Sequence, residues 1–146
     1  MIRVQVFNAH PKYRVRPREI KKIAKSVLEG EGRTDVDINI VFIGTRRMVA
    51  LNGRYLNHRY TTDVLSFSLA GAGAATMEGE VYINLDEARR QAHEYDETIK
   101  AGVARLVVHG ILHLAGHRDG TKPQKARMTR MENTYLTEMN ITRSGA

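Results

Sequence analysis

No cysteine occurs in the 146 residues. That excludes a disulfide framework and any thiolate metal site, so a bound metal would rest on nitrogen and oxygen donors alone. Nor is there an apolar run long enough to cross a bilayer. The opening residues Met1-Ile2-Arg3-Val4-Gln5-Val6 alternate in polarity and lack the apolar core of a signal peptide. No internal repeat is visible, and low complexity is confined to Ala70-Gly71-Ala72-Gly73-Ala74-Ala75. That tract is too short for an interdomain linker and reads as a flexible surface loop. These absences leave a cytoplasmic globular chain with no membrane association. The 42% of hydrophobic residues suffices for one core over residues 1–146, in a single domain.

Acidic residues are also in short supply, 16 against 23 lysines and arginines, for a formal net charge of +7. The excess is clustered. Lys12, Arg14, Arg16, Arg18, Lys21, Lys22 and Lys25 form one group, Arg46, Arg47, Arg54 and Arg59 a second, and Lys122, Lys125, Arg127 and Arg130 a third. Clustered positive charge suits a polyanion, which it attracts by steering and by counterion release.

Ile2, Val4 and Val6 alternate as in a strand with one buried face. Pro17 opens a helix whose Ile20, Ile23, Ala24, Val27 and Leu28 share one face and which Gly30 closes. A second strand runs from Val36 to Ile43. Thr45 caps a short helix to about Tyr55, with Met48, Leu51 and Tyr55 on its apolar side. A polar loop over 56–62 leads to a third strand, Val64 to Leu69, and Val81-Tyr82-Ile83 make a fourth. A helix from Leu85 to Tyr95 follows, and Asp96 caps the next, which is apolar nearly all round in its second half and therefore buried. Beyond Pro123, a final helix packs Met128, Met131, Tyr135, Leu136 and Met139 into the core. This order predicts an α+β domain, a four-stranded mixed sheet covered by helices.

The buried helix carries His109 and His113. Four residues apart, they project from one face with Cβ atoms roughly 5–6 Å apart, close enough for both imidazoles to reach one ion. A third ligand is needed. If the helix continued, His117 would lie about 12 Å along the axis from His109, too far for the short bonds of a metal. Asp119 is better placed provided the helix stops, and Gly116 is the residue to stop it. Three ligands leave an open position at which an ion acidifies water. The glycine three residues after His113 also matches the metzincin pattern, but Gly110 stands where those peptidases carry their general base. That argues against proteolysis.

His109-Gly110-Ile111-Leu112-His113-Leu114-Ala115-Gly116, followed by a ligand ten residues after the first histidine, resembles the YbeY family of metal-dependent endoribonucleases. So do Asn52, Thr62-Asp63-Val64-Leu65-Ser66-Phe67 and Gly79-Glu80-Val81-Tyr82-Ile83. The resemblance implies a zincin-like helix with His109, His113 and Asp119 around one Zn²⁺, or another divalent ion such as ferrous iron. It also implies cleavage of single-stranded RNA in maturation of the small-subunit rRNA 3′ end and in ribosome quality control. Ribosomal RNA and the ribosome, or its small subunit, are the expected partners. Arg54 and Arg59 are expected to hold substrate phosphate, His58 is the candidate proton shuttle, and His58 and Arg59 are the candidates for catalysis. The chain departs from the family pattern at Leu56, where an arginine is usual, at His117, where a tyrosine is common, and at Asp119, where the third ligand is usually histidine. The alternative is a noncatalytic ribosome- or RNA-binding factor with a structural metal.

Overall fold

The fold comes from a computed structural model that describes residues 1–55, 62–71 and 73–141. Its elements are β1 (Ile2–Asn8), α1 (Pro17–Gly30), β2 (Val36–Ile43), α2 (Thr45–Tyr55), β3 (Val64–Ser68), β4 (Met77–Asn84), α3 (Leu85–Glu94), α4 (Ile99–Leu114) and α5 (Lys122–Glu138). The four strands form one sheet in the order β1-β2-β4-β3. β1, β2 and β4 run parallel, with Val4 opposite Ile38 and Ile40 opposite Val81. β3 closes the edge antiparallel to β4, with Ser66 opposite Val81. The mixed sheet and its helical cover are as the residue patterns predict.

α4 is the central helix. It lies against β3 and β4 and is flanked by α1, α3 and α5. Apolar on nearly every side, it loses Val103, Ala104, Val107, Val108, Ile111 and Leu112 to the core. The stripe read on α1 is the buried one, Ile20, Ile23, Ala24, Val27 and Leu28. No helix among the described residues is long and apolar enough to cross a membrane.

The expected element ends need correction. α1 runs through Gly30, and the left-handed turn falls at Gly32 (φ 72°). Thr45 is the first residue of α2 rather than its cap; its backbone N–H donates to Asp86 Oδ2 at 2.9 Å. β3 ends at Ser68, and β4 starts at Met77, four residues before the apolar run. α3 is capped by Asn84, whose side chain accepts from the N–H groups of Asp86 and Glu87. Asp96 is not the cap of α4: it takes a left-handed conformation (φ 51°), and Thr98 accepts the Ala101 N–H instead. Pro123 lies inside the first turn of α5, which Thr121 and Gln124 close as a capping box. Met131, Tyr135 and Met139 are only partly buried, and the third fully buried side chain of α5, beside Met128 and Leu136, is Glu132.

Candidate metal centre

α4 approaches the sheet at Gly110. A Cβ there would stand 2.5 Å from Val81 Cγ1 and 3.2 Å from Val64 Cγ2, so even alanine is crowded and a glutamate has no room. The carboxylate of zinc peptidases is therefore excluded at this position by packing as well as by sequence. The Gly110 carbonyl accepts from Ser66 Oγ at 2.9 Å, fastening the helix to β3.

The helix ends in a Schellman motif. Gly116 takes φ 103°; its N–H donates to His113 O, and that of His117 to Leu112 O, each at 3.0 Å. This reversal parts the three histidines. His109 and His113 stay on one side, while His117 turns away and donates from Nε2 to Glu31 Oε1 at 2.5 Å. The second Glu31 oxygen accepts from Tyr135 Oη. Burial alone would raise the Glu31 pKa, but these two bonds and the charge of Arg33 hold it below its ordinary value. His117 is thus engaged elsewhere, and the chain beyond it returns Asp119 to the other two rings.

His109 Nε2 and His113 Nε2 are 3.1 Å apart, and Asp119 Oδ2 lies 3.3 Å from each. A tetrahedral ion with bonds of about 2.0–2.1 Å keeps its ligand atoms roughly 3.3–3.4 Å apart. The three atoms are therefore spaced as one face of such a coordination sphere, and they are the one group of this kind among the described residues. Two nitrogens and one carboxylate oxygen are donors suited to zinc or to ferrous iron. His113 stands in the last turn of α4, where the helix dipole also favours a cation. Burial opposes charge on the His109 ring. The bond to Glu132, and the negative charges of Glu132, Asp119 and Asp63, outweigh burial and hold its pKa above the ordinary value. The local field is thus arranged for a positive charge.

These atoms open onto a cleft of about 440 Å³ whose far wall is β3, with Asp63, Ser66 and Ser68 among the lining residues. Asp63 accepts from Gln91 Nε2 at 3.1 Å. Behind His109, its Nδ1 lies 2.7 Å from Glu132 Oε2, and Glu132 Oε1 accepts from Arg105 Nη1 at 3.0 Å. The sequence reading missed Glu132 and Arg105. The available signal was a carboxylate set four residues from both Met128 and Leu136 on the face read as core. Arg54 is exposed at the end of α2 and is not among the described residues that line the cleft. His58 and Arg59, the candidates for catalysis, and Leu56 lie outside the described residues.

The sequence model of a family described as Endoribonuclease YbeY matches residues 5–140. A protein of Chloroherpeton thalassium named Endoribonuclease YbeY is 39% identical over 121 residues, 83% of this chain and 84% of its own. One of the same name from Salinibacter ruber is 34% identical over 134 residues, 87% of this chain and 85% of its own. Among solved structures, the solution structure of TM1509 from Thermotoga maritima superposes with a TM-score of 0.66 at 22% identity, over 98% of this chain and 95% of that one. At that identity the likeness speaks to the fold.

Proposed function

The chain belongs to the Endoribonuclease YbeY family, and on that footing we propose that it is a metal-dependent endoribonuclease cutting single-stranded RNA. Its place is in the cytoplasm, in maturation of the small-subunit rRNA 3′ end and in ribosome quality control, with residues 1–146 acting as one domain. The observation that carries this reading is the triangle of His109 Nε2, His113 Nε2 and Asp119 Oδ2 at the mouth of an open cleft. We assign these three residues as ligands of one Zn²⁺.

The bound ion would supply a Lewis acid and a water acidified toward neutral pH. The chain's own residues supply the rest. Asp119 brings a negative charge that offsets part of the cation's, and the α4 carboxyl end adds its dipole. Arg54 and Arg59 hold the phosphate and balance charge developing on its oxygens. Since position 110 carries no base, the proton must leave by another group, and His58 is the residue assigned to that traffic, with Arg59 the second candidate for a catalytic role through its charge. Clustered charge favours RNA over a neutral substrate: Arg118 and Arg127 are exposed along the groove beside the Gly116 turn.

The test is cleavage of a single-stranded RNA by purified protein with zinc, with and without chelator. Cleavage should be lost with chelator and in His113→Ala. Full activity in that variant ends the metal mechanism. The absence of a base at position 110 favours a second reading, a noncatalytic ribosome-binding factor with a structural metal. A wild type that never cuts, joined to a metal-free variant that still binds ribosomes, selects it.

A further inference from the structure

We propose that Glu132, braced by Arg105, is a positioning residue of the metal centre that fixes which nitrogen of His109 faces the ion; this rests on the metal reading above. Glu132 is 6% exposed, although it sits on a helix whose charged residues otherwise face water. A carboxylate has no proton to give, so at 2.7 Å its Oε2 accepts from His109 Nδ1. The ring proton is thereby held on Nδ1. The bare nitrogen is Nε2, the one that stands 3.1 Å from His113 Nε2 and 3.3 Å from Asp119 Oδ2. A buried carboxylate left alone would be costly. Arg105 removes that cost from the other side: Nη1 donates to Glu132 Oε1 at 3.0 Å and Nη2 to Asn133 Oδ1 at 2.8 Å. The negative charge of Glu132 is thus offset in part before any ion arrives, and beyond that charge its task is to orient the ring.

The brace also dictates what an amide would do. In Glu132→Gln, Arg105 can only donate, so it claims the amide oxygen. The amide nitrogen is then left facing His109 Nδ1 and donates to it, which moves the ring proton to Nε2, onto the metal side. The variant keeps its volume but gives up the carboxylate's charge and presents the wrong tautomer. Groups in this position behind a metal-binding histidine are worth about 10–100-fold in metal affinity.

Two measurements on the full chain decide it. Zinc affinity, from competition with a chromophoric chelator, should fall by about 10–100-fold in Glu132→Gln. It should fall less in Arg105→Met, which leaves the carboxylate in place. Imidazole ¹⁵N shifts in the metal-free protein, read at a pH alkaline enough for the ring to be neutral, should show His109 protonated at Nδ1 alone in the wild type and at Nε2 alone in Glu132→Gln. Equal zinc affinity in a folded Glu132→Gln overturns the proposal. So does a neutral wild-type His109 ring that carries its one proton on Nε2, a result that needs no variant to fold. A wild type that takes up no zinc removes the metal reading and this proposal with it, whereas zinc bound equally by both proteins removes only the proposal.

Discussion

Two histidine–carboxylate clusters in this molecule use the same residue types to opposite ends. His10 is buried at 7% exposure and fully provided for. Its Nδ1 accepts the N–H groups of Lys12 and Tyr13, each at 3.0 Å, and its Nε2 lies 2.8 Å from Asp86 Oδ1. Asp86 Oδ2 in turn accepts the Thr45 N–H. Every polar atom in that cluster ends on a protein partner. At the other cluster, two imidazole nitrogens and a carboxylate oxygen face one another at 3.1–3.3 Å, all able to accept and none a settled donor to the rest. One arrangement is a structural knot and the other has the spacing and the donors of a cation's coordination sphere. What separates them is whether the hydrogen bonds close within the protein.

The contrast is broken most directly by exchanging the expected outcomes. His113→Ala should reduce zinc content from about one ion per chain to background, with the metal-free fold intact by circular dichroism. An all-or-none loss of this kind is the largest effect expected. His10→Ala should do the reverse: zinc content unchanged, stability lower by about 2–4 kcal/mol in urea titration. Two N–H groups and a carboxylate oxygen lose their partner there. If His10→Ala loses its metal, or if His113→Ala keeps it, the division between the clusters is wrong.

Gly110 sharpens the comparison at the next level down. It belongs to neither cluster, yet it sets how closely α4 seats on the sheet. In Gly110→Ala, the new methyl meets Val81 Cγ1 at 2.5 Å in a packed interior, and a destabilisation of about 1–3 kcal/mol is expected. His109 adjoins this position, so zinc affinity should weaken with it. A variant as stable as the wild type would show that the helix can lift from β4 without strain.

What could be read from the residues follows from how local each determinant is. His109, His113, Gly116 and Asp119 fall within eleven positions, so helix geometry and one turn sufficed to bring them together. The α1 stripe was legible for the same reason. Caps were not: Asp96 and Thr98 both carry a suitable oxygen, and only the backbone decided, with Asp96 left-handed and Thr98 extended. The first half of β4, Met77-Glu78-Gly79-Glu80, has little strand character. It is extended because β2 and β3 pair with it on both sides, Asp37 against Glu78 and Ser68 against Gly79. Glu132 escaped notice because its partner lies 23 residues earlier on another helix. A carboxylate on an apolar stripe has meaning only once α4 and α5 are docked.

The smallest effect expected concerns acid, and it again separates the clusters. Burial pushes the Asp86 carboxyl up, but the Thr45 N–H and His10 bonds outweigh it and hold the pKa below its ordinary value. A carboxylate held low in the folded state stabilises it fully above the unfolded-state pKa, and that contribution is lost as pH falls through the folded value. As pH falls below the ordinary aspartate range, the wild type should therefore lose stability more steeply than Asp86→Asn, which has no such carboxylate to protonate. Because Asp86 is 42% exposed at its side chain, water screens the cluster and the difference in slope should be modest. The comparison is best made in chelator, where protons cannot act by displacing metal from His109 and His113. Identical acid limbs for the two proteins would mean that His10 is held by its two backbone donors alone, and that the Asp86 bond contributes nothing to folding.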